Sequence, residues 1–157
     1  MKNKFLALIC GALLSFFPNC AWANNYEDNS VAVGKSDVGE LYVDLDNVQI
    51  LRKSNAAYLI ASVEERYSDK KFMDEIRKKR GLENAVGTLT LYMFDNYGRT
   101  YCIVGKHIYD SNGNMCLDLG SDMTIKEVGR NEMLLKIYEV SLKSLEKKSQ
   151  IRSWGKR

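Results

Sequence analysis

With 157 residues, 45% of them hydrophobic, the chain can bury one core and is too short for two independent ones. A formal net charge of +3, from 23 basic and 20 acidic residues, gives no reason to expect nucleic acid as a partner. The single histidine and the four cysteines are the chain's only imidazole and thiol groups.

Residues 1–23 read as a secretory signal peptide. Lys2 and Lys4 form a basic start, Phe5 to Phe17 an apolar run, Pro18 a break, and Ala21-Trp22-Ala23 a small-x-small cleavage site. The apolar run is too short for a stop-transfer helix, so no transmembrane segment is expected after cleavage. The signal carries two lysines and no acid, which leaves 21 basic against 20 acidic residues in the mature chain. That near-neutral balance fits neither nucleic acid nor a strongly charged surface. Residues 24–145 are expected to form a single α+β domain, followed by a polar, basic tail over residues 146–157.

The mature chain opens with a polar terminus, Asn24 to Ser30, and two short strands at Val31–Gly34 and Glu40–Asp44. Asp44 to Ile50 reads as a turn or a single helical turn. Arg52 to Asn55 then turns into the longest strand, Ala56–Tyr67, where Leu59, Ala61 and Val63 alternate with Ile60, Ser62 and Glu64. Ser68 or Asp69 can cap a helix running to about Lys79, with Phe72, Met73 and Ile76 inward and Gly81 ending it. Its basic residues stand beside acids in the order that stabilises a solvated helix face.

Asn84–Phe94 is the next strand, turning at Asp95-Asn96-Tyr97-Gly98 into Arg99–Asp110. Strict alternation places Tyr101, Ile103, His107 and Tyr109 on one face, and Thr100, Cys102, Val104 and Ile108 on the other. Both faces are apolar, so this strand belongs inside the sheet. Asn112-Gly113 predicts a two-residue type I′ hairpin pairing Tyr109 with Cys116 and leading into Met115–Leu119. Gly120 to Gly129 reads as a loop, with Ile125 and Val128 as its core anchors. Asn131 caps a final helix to about Leu145, whose Leu134, Ile137, Tyr138, Ser141, Leu142 and Leu145 form one broad stripe. The expected architecture is an antiparallel multistranded sheet, with a helix between strands and a C-terminal helix packed on the sheet.

No catalytic, cofactor-binding or metal site is expected from these residues. His107 lies mid-strand with no nucleophile near it in sequence, and alternation puts Cys102 on the other face. In the register of the predicted hairpin, Cys102 lies about 23 Å up the strand from Cys116, too far for a disulfide. Asp44, Asp46 and Asp95 sit at turns, where the carboxylate serves local backbone bonds. Nine tyrosines fit a sheet with aromatic cross-strand pairs and some surface for recognition.

Tyr42-Val43-Asp44, then Val48, then the Arg52–Asn55 turn, is similar to the opening of the surface-adhesin protein E-like family. Arg99-Thr100-Tyr101-Cys102-Ile103-Val104, followed by Tyr109-Asp110 and Gly113-Asn114, resembles that family's central hairpin. The helical insert ending Lys78-Lys79-Arg80-Gly81-Leu82 resembles that of some members, and the likeness spans Val31 to Leu142. The resemblance implies an α+β domain in the bacterial cell envelope that binds host matrix or plasma proteins. The resulting expectation is an exported, non-enzymatic binding domain, monomeric or homodimeric, acting as an adhesin on a protein partner. The competing expectation is a periplasmic inhibitor or chaperone-like module acting on another envelope protein.

Overall fold

A computed structural model describes residues 29–53 and 56–148. The signal segment 1–23, the mature terminus to residue 28, residues 54–55 and the tail from residue 149 lie outside the described residues. The elements are β1 (Ser30–Lys35), β2 (Gly39–Lys53), β3 (Ala56–Tyr67), α1 (Lys70–Arg80), β4 (Ala85–Asp95), β5 (Thr100–Asp110), β6 (Met115–Glu127) and α2 (Glu132–Lys147). The strands form one antiparallel sheet in the order β1-β2-β3-β4-β5-β6, each hydrogen-bonded to its neighbours in sequence. The expected α+β architecture is the one observed, with α1 between β3 and β4 and α2 after the last strand.

Both helices start on side-chain caps. Asp69 accepts a hydrogen bond from the Phe72 N–H at 2.6 Å, and Asn131 accepts one from the Leu134 N–H at 3.1 Å. At the other end of α1, Gly81 sits at φ 64°, and its N–H donates to the Arg77 carbonyl at 3.1 Å. A side chain at Gly81 would face the left-handed penalty.

The main core lies between α2 and one face of the sheet. Val43, Leu59, Ala61, Val63 and Phe94 from the strands meet Leu134, Ile137 and Leu145 of α2, all nearly or fully buried. In α2, Leu134, Ile137, Ser141 and Leu145 lie three to four residues apart, so one side of the helix delivers them to the sheet. Tyr92, Phe94, Tyr101 and Tyr138 add an aromatic cluster, with ring centroids 5.6–6.2 Å apart. The Tyr138 hydroxyl donates to the Asn96 carbonyl at 3.0 Å, locking α2 onto the β4–β5 turn. The C-terminal end of α2 is tied to β2, where Ser144 Oγ and Lys148 Nζ both donate to the Leu45 carbonyl, at 3.3 and 2.6 Å.

α1 covers a second cluster on the same face of the sheet. Ile76 packs with Ala85 and Ile108, and Tyr67, Phe72, Leu82 and Leu117 close around them. The opposite face carries Ile60, Met93 and Cys102, with Leu51, Tyr58, Val104 and Met123 against them.

Four local expectations are corrected by the ladders. Asp44 to Ile50 continues β2 through a register shift between Asp44 and Gln49, because the Asp44 carboxylate accepts from the Asp46 and Asn47 N–H groups and pinches the strand there. The β5–β6 hairpin is longer than a two-residue turn. Gly113, at φ 79°, donates to the Asp110 carbonyl, the Asp110 N–H donates to the Asn114 carbonyl, and pairing resumes at Tyr109↔Met115. Gly120 to Glu127 extends β6 where a loop was expected, and Ile125 is exposed while only Val128 reaches the core. Finally, a shift between Leu91 and Tyr92 opposite Gly105 and Ile103 inserts one extra residue in β5. Beyond that bulge the face parity inverts. His107 and Tyr109 join Cys102, and Ile108 joins Tyr101 and Ile103 on the helical face.

Candidate binding surface at the β6 edge

The residues singled out for chemistry do not converge. Cys102 pairs with Met93 and His107 with Leu89. The bulge puts them on one face, yet four residues of β4 separate their partners, about 13 Å at strand rise. His107 is half-buried, and burial pulls its pKa below 6.5, with the Asp118 carboxylate opposing that shift. Cys102 is buried and Cys116 exposed, with no disulfide joining them. Partial burial and the Asp110 charge push the Cys116 thiol up, away from thiolate reactivity. Among the described residues, no group of three or more His, Cys, Asp or Glu side chains is arranged to hold a metal ion.

Asp44 and Asp95 act locally, as their positions implied, whereas the Asp46 carboxylate accepts from the side-chain amide of Asn29, at the start of the sheet. Asp95 accepts from the Arg99 N–H at 2.8 Å, and Asp44 from the Asn47 side-chain amide at 2.7 Å. Lys70, Lys71, Arg77 and Lys78 are exposed, consistent with a solvated helix face. Most tyrosines pack or hydrogen-bond inside the sheet. Burial pushes Tyr92 up to about 12, whereas Tyr97 is 67% exposed.

One polar chain crosses the sheet on the face away from the helices. Tyr109 Oη and Arg66 Nε both donate to the buried Glu64 carboxylate at 2.6 Å. The Arg66 guanidinium lies 4.2 Å from the Tyr42 ring centroid, and the Tyr42 hydroxyl donates to Glu40 at 2.7 Å. Glu40 is held below the usual carboxylate range by its hydrogen bond from Lys35. This chain joins β1 to β5 and is structural, since its buried carboxylate, Glu64, has donors on both oxygens.

The open side of the molecule is β6. It is the longest strand after β2 and forms one edge of the sheet, and none of its thirteen residues is buried. Met115, Leu119 and Ile125 are 62%, 41% and 71% exposed. Its register against β5 shifts four times, and the Asp118 and Asp122 carboxylates bond the N–H groups of Gly120 and Thr124 at 2.7 and 3.1 Å. Lys126 pairs with Asp122 at 2.6 Å, which holds that carboxyl down at about 2. Bulges and charges of this kind are what keep an edge strand from indiscriminate pairing.

Beside this edge, on the helical face, runs a trough of about 310 Å³. Its floor is apolar, made of Tyr67, Phe72, Ile76, Ile108 and Leu119. Tyr67 and Phe72 meet edge to face at 5.0 Å, and the Tyr67 hydroxyl is bonded to Thr88. Glu65, Glu75 and Lys106 supply its charges. Five elements contribute, so no sequence window contains the trough. The available signal was partial: the inward pair Phe72 and Ile76 of the predicted helix.

The chain matches no family model, no curated protein and no solved structure. Among the described residues, no helix is long and apolar enough to cross a membrane.

Proposed function

We propose that the chain is an exported, non-enzymatic protein-binding domain of the bacterial cell envelope, acting as a surface adhesin toward host matrix or plasma proteins. The observation that carries this reading is β6, a thirteen-residue edge strand with exposed Met115, Leu119 and Ile125 beside an apolar trough. An edge strand offers main-chain donors and acceptors to an added strand, and adjoining pockets select its side chains. The resemblance of the Arg99–Val104 and Tyr109–Asn114 segments to the surface-adhesin protein E-like family supports the envelope setting, as does the signal-like segment 1–23. A second copy is the other occupant that the same edge could take.

The test combines location and contact. Protease treatment of intact cells is expected to release fragments of the chain, and the purified protein is expected to bind immobilised plasma and matrix proteins. Introducing charge by Leu119→Lys with Ile125→Lys is expected to lower that binding at least about tenfold, with unchanged circular dichroism. Protection from protease on intact cells, with capture of an envelope protein instead, would favour the periplasmic module. Sedimentation equilibrium of the purified protein separates a homodimer from a monomer.

A further inference from the structure

The lining of the trough carries opposite charges, Glu65 and Lys106, that do not meet. Glu65 pairs with Thr88, Thr88 with Ile108, and Lys106 with Thr90. Lys106 therefore stands two strands across and two residues along from Glu65, an interval of about 12 Å between backbones. Neither forms an ion pair with any described residue, although both line the same apolar floor. Glu75 brings a second carboxylate to the lining from α1. A volume of about 310 Å³ lies at the lower limit of small-ligand sites, room for one long side chain and little more.

A ligand suited to this lining is linear, with an apolar stem, a cation at one end and an anion at the other. A fully apolar ligand would leave Glu65 and Lys106 desolvated without partners, which is costly. A simple cation would satisfy the acids and face Lys106 with like charge. From this complementarity we propose that the trough binds the C-terminal lysine of a partner polypeptide. Its ammonium lies toward Glu65 and its α-carboxylate toward Lys106, and its methylene stem crosses β4 over Thr88 and Ile108. The span of an extended lysine from carboxylate to ammonium is roughly 7 Å at ordinary bond lengths, which fits between two side chains rooted about 12 Å apart. This deepens the protein-binding reading by naming the feature of the partner that is recognised, and it rests on that reading for its biological meaning.

The experiment is a titration of the full chain, followed by heteronuclear NMR, with Nα-acetyl-lysine, Nα-acetyl-lysinamide and Nα-acetyl-norleucine. Nα-acetyl-lysine is expected to bind at least about tenfold more tightly than either analogue, since each lacks one charge-assisted contact. Its shifts are expected to centre on Phe72, Thr88 and Ile108. Lys106→Gln should erase the preference for lysine over its amide while keeping that over norleucine, and Glu65→Gln should do the reverse. Equal binding of all three probes, no binding of Nα-acetyl-lysine at about 10 mM, or unchanged preferences in both folded variants overturns the proposal. The titration uses no partner protein. If it fails while plasma or matrix proteins are still captured, only the occupant of the trough falls and the protein-binding reading stands.

Discussion

β3 and β6 are strands of nearly equal length, twelve and thirteen residues, with opposite fates. β3 lies between two partners in unbroken register with β4 and buries every residue from Leu59 to Glu64. β6 has one strand partner, four register shifts and no buried residue. The difference is one of position in the sheet more than of composition, since both strands contain long apolar side chains. In β3 those side chains hold the fold together. In β6, Leu117 and Met123 lean on the neighbouring clusters, while Met115, Leu119 and Ile125 face solvent, available for contact at little cost to stability.

That contrast is tested most severely at the centre. Phe94, fully buried opposite Leu59, is expected to lose about 3–5 kcal/mol of stability on Phe94→Ala, read from urea unfolding. The polar chain comes next. Glu64→Ala leaves the Arg66 guanidinium and the Tyr109 hydroxyl without their shared acceptor, and a loss of roughly 3 kcal/mol is expected by the same measurement. Ser141 shows the reverse sign. Its hydroxyl is buried in the α2–sheet contact with no hydrogen-bond partner. Ser141→Ala removes that orphan group and improves helix propensity, so a gain of about 0.5–1 kcal/mol and a higher Tm are expected.

At the edge the expected effects shrink. Ile125→Lys should alter stability by no more than about 0.5 kcal/mol, because the side chain is 71% exposed. A loss of several kcal/mol there would mean that β6 supports the fold as β3 does. The smallest effect concerns pH. Burial lowers His107 below 6.5, so the unfolded chain takes up this proton more readily than the folded one. Its contribution to stability is complete above pH 6.5 and is lost as the pH falls through the folded-state value. As the only histidine, it can be followed directly by NMR, and Asp118→Asn should move its midpoint further down, since Asp118 is what raises it.

Much of the scaffold was legible in the residues. The alternation of Ala56–Tyr67, the caps Asp69 and Asn131, the stop at Gly81 and the apolar stripe from Leu134 to Leu145 each report a local geometric demand. What escaped was whatever breaks period two. The bulges near Asp44 and at Val104–Gly105 leave no mark in apolar spacing, and the second of these reversed the faces assigned to His107, Ile108 and Tyr109. β6 was cut short at Leu119 because Gly120 and the mixed residues after it resemble a loop, and an edge strand has no buried face to impose a pattern. The trough was illegible for a different reason. Glu65, Glu75 and Lys106 become neighbours only through the order of the strands.

The placement of α2 also bears on how the chain matures. Each strand pairs with the one made just before it, so hairpins can close in succession as the polypeptide grows. The helix that seals β1, β2 and β3 is nevertheless the last of the described elements in chain order. Until it docks, Val43, Leu59 and Val63 have no lid, and that face of the sheet stays open to solvent. Docking of α2 is therefore the event that closes the main core.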